Sequence, residues 1–225
     1  MFWLEKWLYN FFKSIIKLYL TAFLEFRVWG KENIPPGPKI FCSNHFSSTD
    51  PFYVITIMDE PIHMIIGPGF SVPVVKQILK IGKQINALSE NREKVIPTAV
   101  DYLKKAESVF IFPEGDLNDQ KILRAFYSGM AKIYLSFPVP IIPIGIISPI
   151  RYVKEKEKNI KIGETVYKTL TVLTGKFFAN IGKPVRFPEF ENDGLTTDAI
   201  TGVTDQVKKT IEELISDIKT NKFWS

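Results

Sequence analysis

The chain has 225 residues, a formal net charge of +5 and a single cysteine. This length allows one sizeable domain with an appendage, and one cysteine excludes an intramolecular disulfide and fits a reducing compartment. Hydrophobic residues make up 45% of the chain, too few for a protein with many membrane spans. Lysines alternate with acidic residues, so we expect no nucleic-acid partner and favour an anionic membrane surface instead.

Residues 1–24 are densely apolar and aromatic, with large side chains on one broad face of a helix and lysines on the other. Such a helix is long enough to span a bilayer, but Lys13 and Lys17 would each cost about 2.5–3.5 kcal/mol near its centre. We therefore predict an amphipathic helix that lies in the membrane interface as a monotopic anchor at the cytoplasmic face. The alternative is a helix that caps the core or joins copies of the chain. The predicted domains are an anchor at 1–25 and a main domain at 26–225.

Residues 44–50 read Asn-His-Phe-Ser-Ser-Thr-Asp and form a polar turn between a strand predicted at 39–43 and a helix predicted at 51–58. On one helix His45 and Asp50 would lie about 140° apart, whereas on a turn the carboxylate can reach one imidazole nitrogen. The aspartate would then fix the tautomer and leave the other nitrogen free as a general base. Asp50, which precedes Pro51, is also suited to cap the helix, and unrelated surface polarity is a third interpretation.

Strand and helix patterns alternate through the rest of the chain. Predicted strands lie at 26–30, 62–66, 84–88, 108–112, 139–146 and 178–187, and predicted helices at 74–82, 91–106, 120–136 and 197–219. The alternation predicts an α/β fold, with a mostly parallel sheet flanked by helices and an N-terminal amphipathic membrane-interface helix. Two prolines favour an edge or irregular position for strand 139–146. Residues 151–175 fit a strand, a helix or a membrane contact.

Two other side chains are chemically reactive types. His63 lies in an apolar run and is interpreted as a structural core histidine. Cys42 is interpreted as a small buried strand residue, with a Cys–His nucleophile formed with His45 as the alternative. The only two histidines are far apart and nothing has ligand spacing, so we predict no metal site.

A second motif, Phe112-Pro113-Glu114-Gly115, ends a strongly strand-like run. Together with Asn44-His45 and Asp50, in this order and spacing, it resembles the glycerolipid acyltransferase family typified by the 1-acylglycerol-3-phosphate acyltransferases. The resemblance covers about residues 26–190. It implies that His45 is the general base, that Asp50 orients it, and that Glu114 and Gly115 lie at the acceptor site. Asn44 and Ser47 are further candidates for substrate contact.

The chain departs from the family pattern where a phosphate would bind. Family members usually follow the glutamate and glycine with threonine or serine and then arginine, and the arginine helps hold the acceptor phosphate. Here Asp116-Leu117-Asn118 follows, and the arginine common in the block upstream aligns with Leu88. Since arginine and lysine both bind phosphate, three residues can supply the missing cation: Arg92, Lys121 and Arg124.

The resemblance implies transfer of a fatty acyl group to the free hydroxyl of a lysophospholipid, and most directly the conversion of 1-acylglycerol-3-phosphate to phosphatidic acid. The donor would be an acyl-CoA or an acyl-carrier-protein thioester, with no other cofactor. Another lysolipid or alcohol as acceptor is one alternative. A catalytically silent protein that binds lipid at the membrane surface is another. An ester hydrolase would need a serine elbow, and the chain contains no G-x-S-x-G.

Overall fold

The computed structural model of the chain describes residues 3–120, 122–162 and 165–220. Its strands are β1 (Leu24–Trp29), β2 (Ile40–Ser43), β3 (Ile62–Ile66), β4 (Ile85–Asn86), β5 (Ser108–Ile111), β6 (Ile141–Ile147), β7 (Val153–Ile162), β8 (Thr165–Val172) and β9 (Gly175–Ile181). Its helices are α1 (Trp3–Phe23), α2 (Asp50–Val54), α3 (Pro73–Ile81), α4 (Arg92–Lys104), α5 (Gly129–Ser136) and α6 (Thr197–Thr220).

Seven strands form one sheet in the order β1-β9-β6-β2-β5-β3-β4. The five strands from β6 to β4 pair in parallel, whereas β9 is antiparallel to β6 and carries β1 parallel to itself. The predicted α/β fold with a mostly parallel sheet is therefore confirmed. Because the carboxyl ends of parallel strands meet at one edge, the residues that follow β2 and β5 are brought together.

The sheet is buried on both faces because its strands are apolar at successive positions. Alternate residues of β2 point to opposite sides: Ile40 and Cys42 pack with α4, α5 and α6, and Phe41 packs with α1 and α2. All of these strand side chains are fully buried. The result is two apolar layers that hold β2, and the turn after it, between rigid neighbours.

Strand β6 is central, although its prolines predicted an edge or irregular position. It lies between β9 and β2, and Pro143 opposes Cys42. The Pro143 carbonyl accepts from the N–H of Gly182, just beyond the end of β9, and the Pro140 carbonyl accepts from Ile40. Both prolines therefore still accept backbone hydrogen bonds from the neighbouring segments. The N–H that Pro143 lacks would point to where β9 has already ended.

The helix predicted at 120–136 and the strand predicted at 178–187 differ from the structure. The helix expected at 120–136 is confined to Gly129–Ser136, and the described residues before it form a loop that returns to the edge of the sheet. The ambiguous segment 151–175 contains the antiparallel hairpin β7–β8, outside the main sheet. The last strand spans Gly175–Ile181, earlier than predicted.

Helix α1 packs on the body through the face that carries Tyr9, Lys13 and Leu20, and runs into β1 without a linker, so the predicted boundary after residue 25 falls inside β1. Lys13 donates to the Met58 carbonyl, and burial lowers its pKa. The opposite face exposes large apolar side chains: Trp7 (52%), Phe11 (49%), Ile15 (49%) and Leu18 (72%). None of the described helices is both long enough and apolar enough to cross a membrane.

Candidate active site

The turn at residues 44–50, called the His-Asp turn below, leaves the carboxyl end of β2 and leads into α2. His45 Nδ1 lies 2.9 Å from Asp50 Oδ2, and the backbone N–H groups of Phe46 and Ser47 donate to the same oxygen at 2.8 Å each. Within the described residues the other imidazole nitrogen, Nε2, has no hydrogen-bond partner, and the His45 side chain is 17% exposed. The geometry is that of an oriented imidazole with one nitrogen free.

The carboxylate of Asp50 faces back into the turn, so it does not cap α2. It bonds to N–H groups that precede it, and Thr49, the N-cap residue, makes no side-chain capping bond. Complete burial raises the pKa of Asp50, while the hydrogen bond to His45 and the N–H groups of Ser47 and Phe46 oppose that rise. Three donors on one oxygen stabilise the ionised form that an imidazolium partner requires.

Glu114 follows β5 and is buried, with donors at both carboxylate oxygens. Its Oε1 accepts the N–H of His45 at 2.8 Å, and its Oε2 accepts the N–H of Arg124 at 2.7 Å. The Asn118 amide donates to both oxygens, and the Asn118 N–H donates to the His45 carbonyl at 2.8 Å. Burial raises the pKa of Glu114, opposed first by the bond from His45. The carboxylate thus joins the ends of β2 and β5.

The imidazole of His45 stacks on Phe112, with ring centroids 4.2 Å apart and an angle of 21° between the planes. Gly115 has a φ of +65°, and a Cβ there would lie 2.7 Å from the ring of Tyr127. Both the backbone conformation and the close ring therefore require glycine at this position.

Asn44 and Ser47, expected to contact substrate, have side chains bonded within the protein. The Asn44 amide pairs with both the N–H and the carbonyl of Ile146, at 2.8 Å each, and so ties β2 to β6. Ser47 Oγ lies 2.7 Å from Thr49 Oγ1 and donates to the Leu170 carbonyl at 3.2 Å. Their substrate contacts stay predictions, and their observed contacts fix the turn.

Arg124 contacts the Glu114 motif directly, through its backbone N–H to Glu114 and its guanidinium to Asp116. Its Nη1 donates to Asp116 Oδ2 at 2.8 Å and to the Leu117 carbonyl at 3.0 Å. Arg92 is the exposed first residue of α4, which follows β4 at the same edge of the sheet. Lys121 lies outside the described residues. Arg124 therefore brings its guanidinium to residue 117, where the family pattern has its own arginine.

The two other reactive residues are structural, as predicted. His63 is buried, with Nδ1 2.9 Å from the Lys83 carbonyl and Nε2 2.8 Å from Glu107 Oε2. Cys42 is fully buried, and burial raises the pKa of its thiol. Among the described residues, no cluster of three or more histidine, cysteine, aspartate or glutamate side chains could hold a metal ion.

A family model described as Acyltransferase matches residues 25–147, more than half of the chain, so the chain belongs to the acyltransferase family. It is 23% identical over 216 residues to 1-acyl-sn-glycerol-3-phosphate acyltransferase alpha of Homo sapiens, a match that covers 86% of this chain and 65% of that protein. The chain therefore spans less than two thirds of that relative's length.

Two further matches agree. The chain is 28% identical over 148 residues to the chloroplastic 1-acyl-sn-glycerol-3-phosphate acyltransferase BAT2 of Brassica napus, covering 61% of this chain and 43% of that protein. The crystal structure of the 1-acyl-sn-glycerophosphate (LPA) acyltransferase PlsC from Thermotoga maritima superposes with a TM-score of 0.73 at 19% identity, over 98% of this chain and 83% of that one. The structural match shows the fold, and the predicted family is confirmed.

Proposed function

We propose that the chain is an O-acyltransferase that moves a fatty acyl group from a thioester donor to the free hydroxyl of a lysophospholipid. The proposed acceptor is 1-acylglycerol-3-phosphate and the product is phosphatidic acid. The observation that carries the proposal is the His45 imidazole, held at Nδ1 by buried Asp50 and free at Nε2. The names of the human and Brassica napus relatives support the choice of acceptor.

In the proposed reaction, Nε2 of His45 removes the proton of the acceptor hydroxyl as its oxygen attacks the thioester carbonyl. The resulting tetrahedral intermediate collapses, its carbon–sulfur bond breaks, and the departing thiolate takes the proton from the imidazolium. Asp50 stabilises that imidazolium through Nδ1. General-base catalysis of this kind contributes roughly 10²–10⁴-fold. The donor is an acyl-CoA or an acyl-carrier-protein thioester.

Arg124 is the proposed ligand for the acceptor phosphate. A guanidinium presents five N–H donors in a planar fork, and here only Nη1 has partners within the described chain, Asp116 and Leu117. The backbone of Arg124 is fixed to Glu114, which also binds the backbone of His45. The phosphate ligand and the general base are thus two ends of one bonded network. Arg92 and Lys121 remain candidates for a second cation.

The negative charge of Asp116 beside Arg124 favours a second candidate function, acyl transfer to a lysolipid or alcohol without an anionic phosphate. An exposed ion pair of this type is worth only about 0.2–1 kcal/mol, so a dianionic phosphate can compete with it. For this reason we place the phosphate-bearing acceptor first.

The membrane is the proposed source of both lipids. The exposed face of α1 offers large apolar side chains at helical spacing, among them Trp7, Phe11 and Leu18, and such a face is suited to lie in the bilayer interface. The chain would then be a peripheral, monotopic protein at the cytoplasmic face of its membrane, with substrates entering from the lipid.

The test uses purified protein in mixed micelles with labelled acyl-CoA or acyl-carrier-protein thioester, and a panel of lysolipids with and without an anionic phosphate. We expect product from lysophosphatidate, and a loss of at least about 10²-fold in turnover for His45→Ala in a protein that still folds. Activity of folded His45→Ala close to that of the unchanged protein would refute the general-base assignment.

The acceptor panel separates the alternatives. Arg124→Gln should raise the KM for lysophosphatidate and leave uncharged acceptors unaffected. Product from zwitterionic or uncharged acceptors alone would establish the second candidate function. Binding to lipid vesicles without acyl transfer from any donor would identify a silent lipid-binding protein.

A further inference from the structure

The β7–β8 hairpin lies outside the seven-stranded sheet, yet its second strand is bonded to the His-Asp turn. The N–H of Ser48 donates to the Leu170 carbonyl at 2.7 Å. Thr49 Oγ1 lies 3.3 Å from both the carbonyl and the N–H of Val172. Strand β8 therefore contacts the turn through its backbone, close to the residues that hold His45.

These bonds continue inside the turn to the atoms that bind Asp50. Thr49 Oγ1 lies 2.7 Å from Ser47 Oγ, and the Thr49 N–H donates to the same Ser47 oxygen at 3.1 Å. Ser47 in turn donates its backbone N–H to Asp50 Oδ2, the oxygen that receives His45 Nδ1. One chain of bonds thus runs from Val172 to the imidazole.

The turn is held from two sides. On one side Glu114 accepts the N–H of His45, and on the other side β8 holds Ser48 and Thr49. Phe46, whose N–H group helps fix Asp50, lies between these two anchors, and Ser47, whose N–H group also fixes Asp50, joins the second anchor through its own bond to the Leu170 carbonyl. If the second anchor is removed, the turn can shift while the first anchor keeps its place.

We infer that Thr49 is a positioning residue, through which the β7–β8 hairpin sets the geometry of the His45–Asp50 pair. The inference rests on the proposed function of His45 as general base. Thr49 does not bond to His45 or to the Asp50 carboxylate, so it acts through Ser47 and Val172. Its hydroxyl is donor and acceptor at once, which lets it bond to the carbonyl or the N–H of Val172 as well as to Ser47.

The decisive comparison is Thr49→Val, which keeps the shape and removes the hydroxyl, against Thr49→Ser, which keeps the hydroxyl. Thr56→Val is the matched control, because Thr56 is buried beyond α2 and its hydroxyl donates only to the nearby Tyr53 carbonyl at 2.7 Å. For Thr49→Val we expect kcat to fall on the order of 10-fold, since a small misplacement of a catalytic group is costly. The KM for the acceptor should stay unchanged, Thr49→Ser should restore kcat, and Thr56→Val should keep the kcat of the unchanged protein.

Thermal unfolding is measured first, so that kcat is compared only between folded proteins. Unchanged kcat in folded Thr49→Val, or an equal fall in Thr56→Val, would overturn the inference. If Thr49→Val does not fold, Thr49→Ala takes its place, because it removes the same hydroxyl without putting a methyl group against Ser47 Oγ and the Val172 backbone. That variant should lower kcat without changing the KM, and an unchanged kcat would again overturn the inference.

His45→Ala, assayed alongside, separates this inference from the proposed function. If His45→Ala retains activity, the general-base proposal fails and Thr49 has no base to position. If His45→Ala is inactive and Thr49→Val is fully active, only the role of Thr49 is refuted.

Discussion

At the scale of single residues, the carboxylate of Glu114 has an unusual set of partners, because every described bond to it comes from a donor. His45 and Arg124 each give a backbone N–H, and the Asn118 amide reaches both oxygens. Among the described residues, none of the groups bonded to these oxygens is an acceptor. The site therefore needs an acceptor at both positions, which only the ionised carboxylate provides.

Glu114→Gln should be destabilising although it preserves size and shape. The new NH₂ group must face at least one N–H donor, and this leaves a buried donor without a partner at a cost of about 1–3 kcal/mol. Urea unfolding measures the loss. Glu191→Gln is the control, because Glu191 Oε1 accepts the Tyr134 hydroxyl and an amide oxygen can take over that bond. Equal stability of Glu114→Gln and the unchanged protein would contradict the conclusion that both carboxylate oxygens must accept hydrogen bonds.

The sequence was sufficient to predict the His45–Asp50 pair because both residues lie on one short turn. The second layer of the site was not predictable in the same way. The Arg124 N–H contacts Glu114 from a segment that the sequence pattern presented as a helix, and Val172 contacts Thr49 from a hairpin whose structure the sequence left open. These partners meet only through the fold, and nothing in their local spacing marks them.

At the scale of elements, α1 presents opposite faces to two environments. Tyr9 and Leu20 are buried against the body, whereas Phe11 and Leu18 are exposed on the far side. Sequence periodicity identified the helix correctly. It did not reveal that Lys13 turns toward the body, because the polar partner, the Met58 carbonyl, belongs to a distant segment.

We expect the double substitution Phe11→Ser and Leu18→Ser to weaken binding to anionic lipid vesicles by at least about tenfold, because burying each large apolar side chain contributes roughly 1.5–3 kcal/mol. Co-sedimentation with vesicles measures the effect. Leu195→Ser changes an exposed leucine between β9 and α6 and should leave binding unchanged. Vesicle binding that the double substitution does not alter would exclude α1 as the anchoring surface.

The boundaries of helices and strands were predicted least well where hydrogen bonds to distant residues outweigh the local sequence pattern. The segment before α5 was predicted as helix but is a loop. In this loop the Arg124 N–H bonds to Glu114, and not to a backbone carbonyl as it would in a helix. Strand β6 tolerates a central position because the carbonyls of Pro143 and of Pro140, just before the strand, accept backbone bonds, whereas the sequence rule for proline considers only the missing N–H.

At the scale of the whole molecule, burial of Asp50 links the stability of the fold to pH. Burial raises the pKa of Asp50 above its ordinary value of about 3.9, so the folded state binds this proton more tightly than the unfolded chain. The stability from this group is complete below that value and is lost as the pH rises through the raised pKa. Activity should change in the opposite sense, because the imidazolium needs the ionised carboxylate.

The free energy of unfolding in urea, measured from about pH 4 upwards for the unchanged protein and for Asp50→Asn, tests this linkage. The free energy of unfolding of the unchanged protein minus that of Asp50→Asn should decrease as the pH rises. Acyl transfer by the unchanged protein should increase over the same range. A difference that grows with pH would mean that the bonds from His45, Ser47 and Phe46 outweigh burial.

The pairing of β1 has a consequence for biosynthesis. Among the described strands β1 pairs with β9 alone, where Leu24 lies opposite Gly175 and Trp29 lies opposite Asn180. At roughly 5–20 residues per second, a ribosome needs on the order of ten seconds to make the intervening chain. Throughout that interval β1 has no strand to pair with, whereas the partners of α1 around Phe41, α2 and Met58 are made early. The apolar side chains of β1 therefore stay without their final partner until most of the chain has been made.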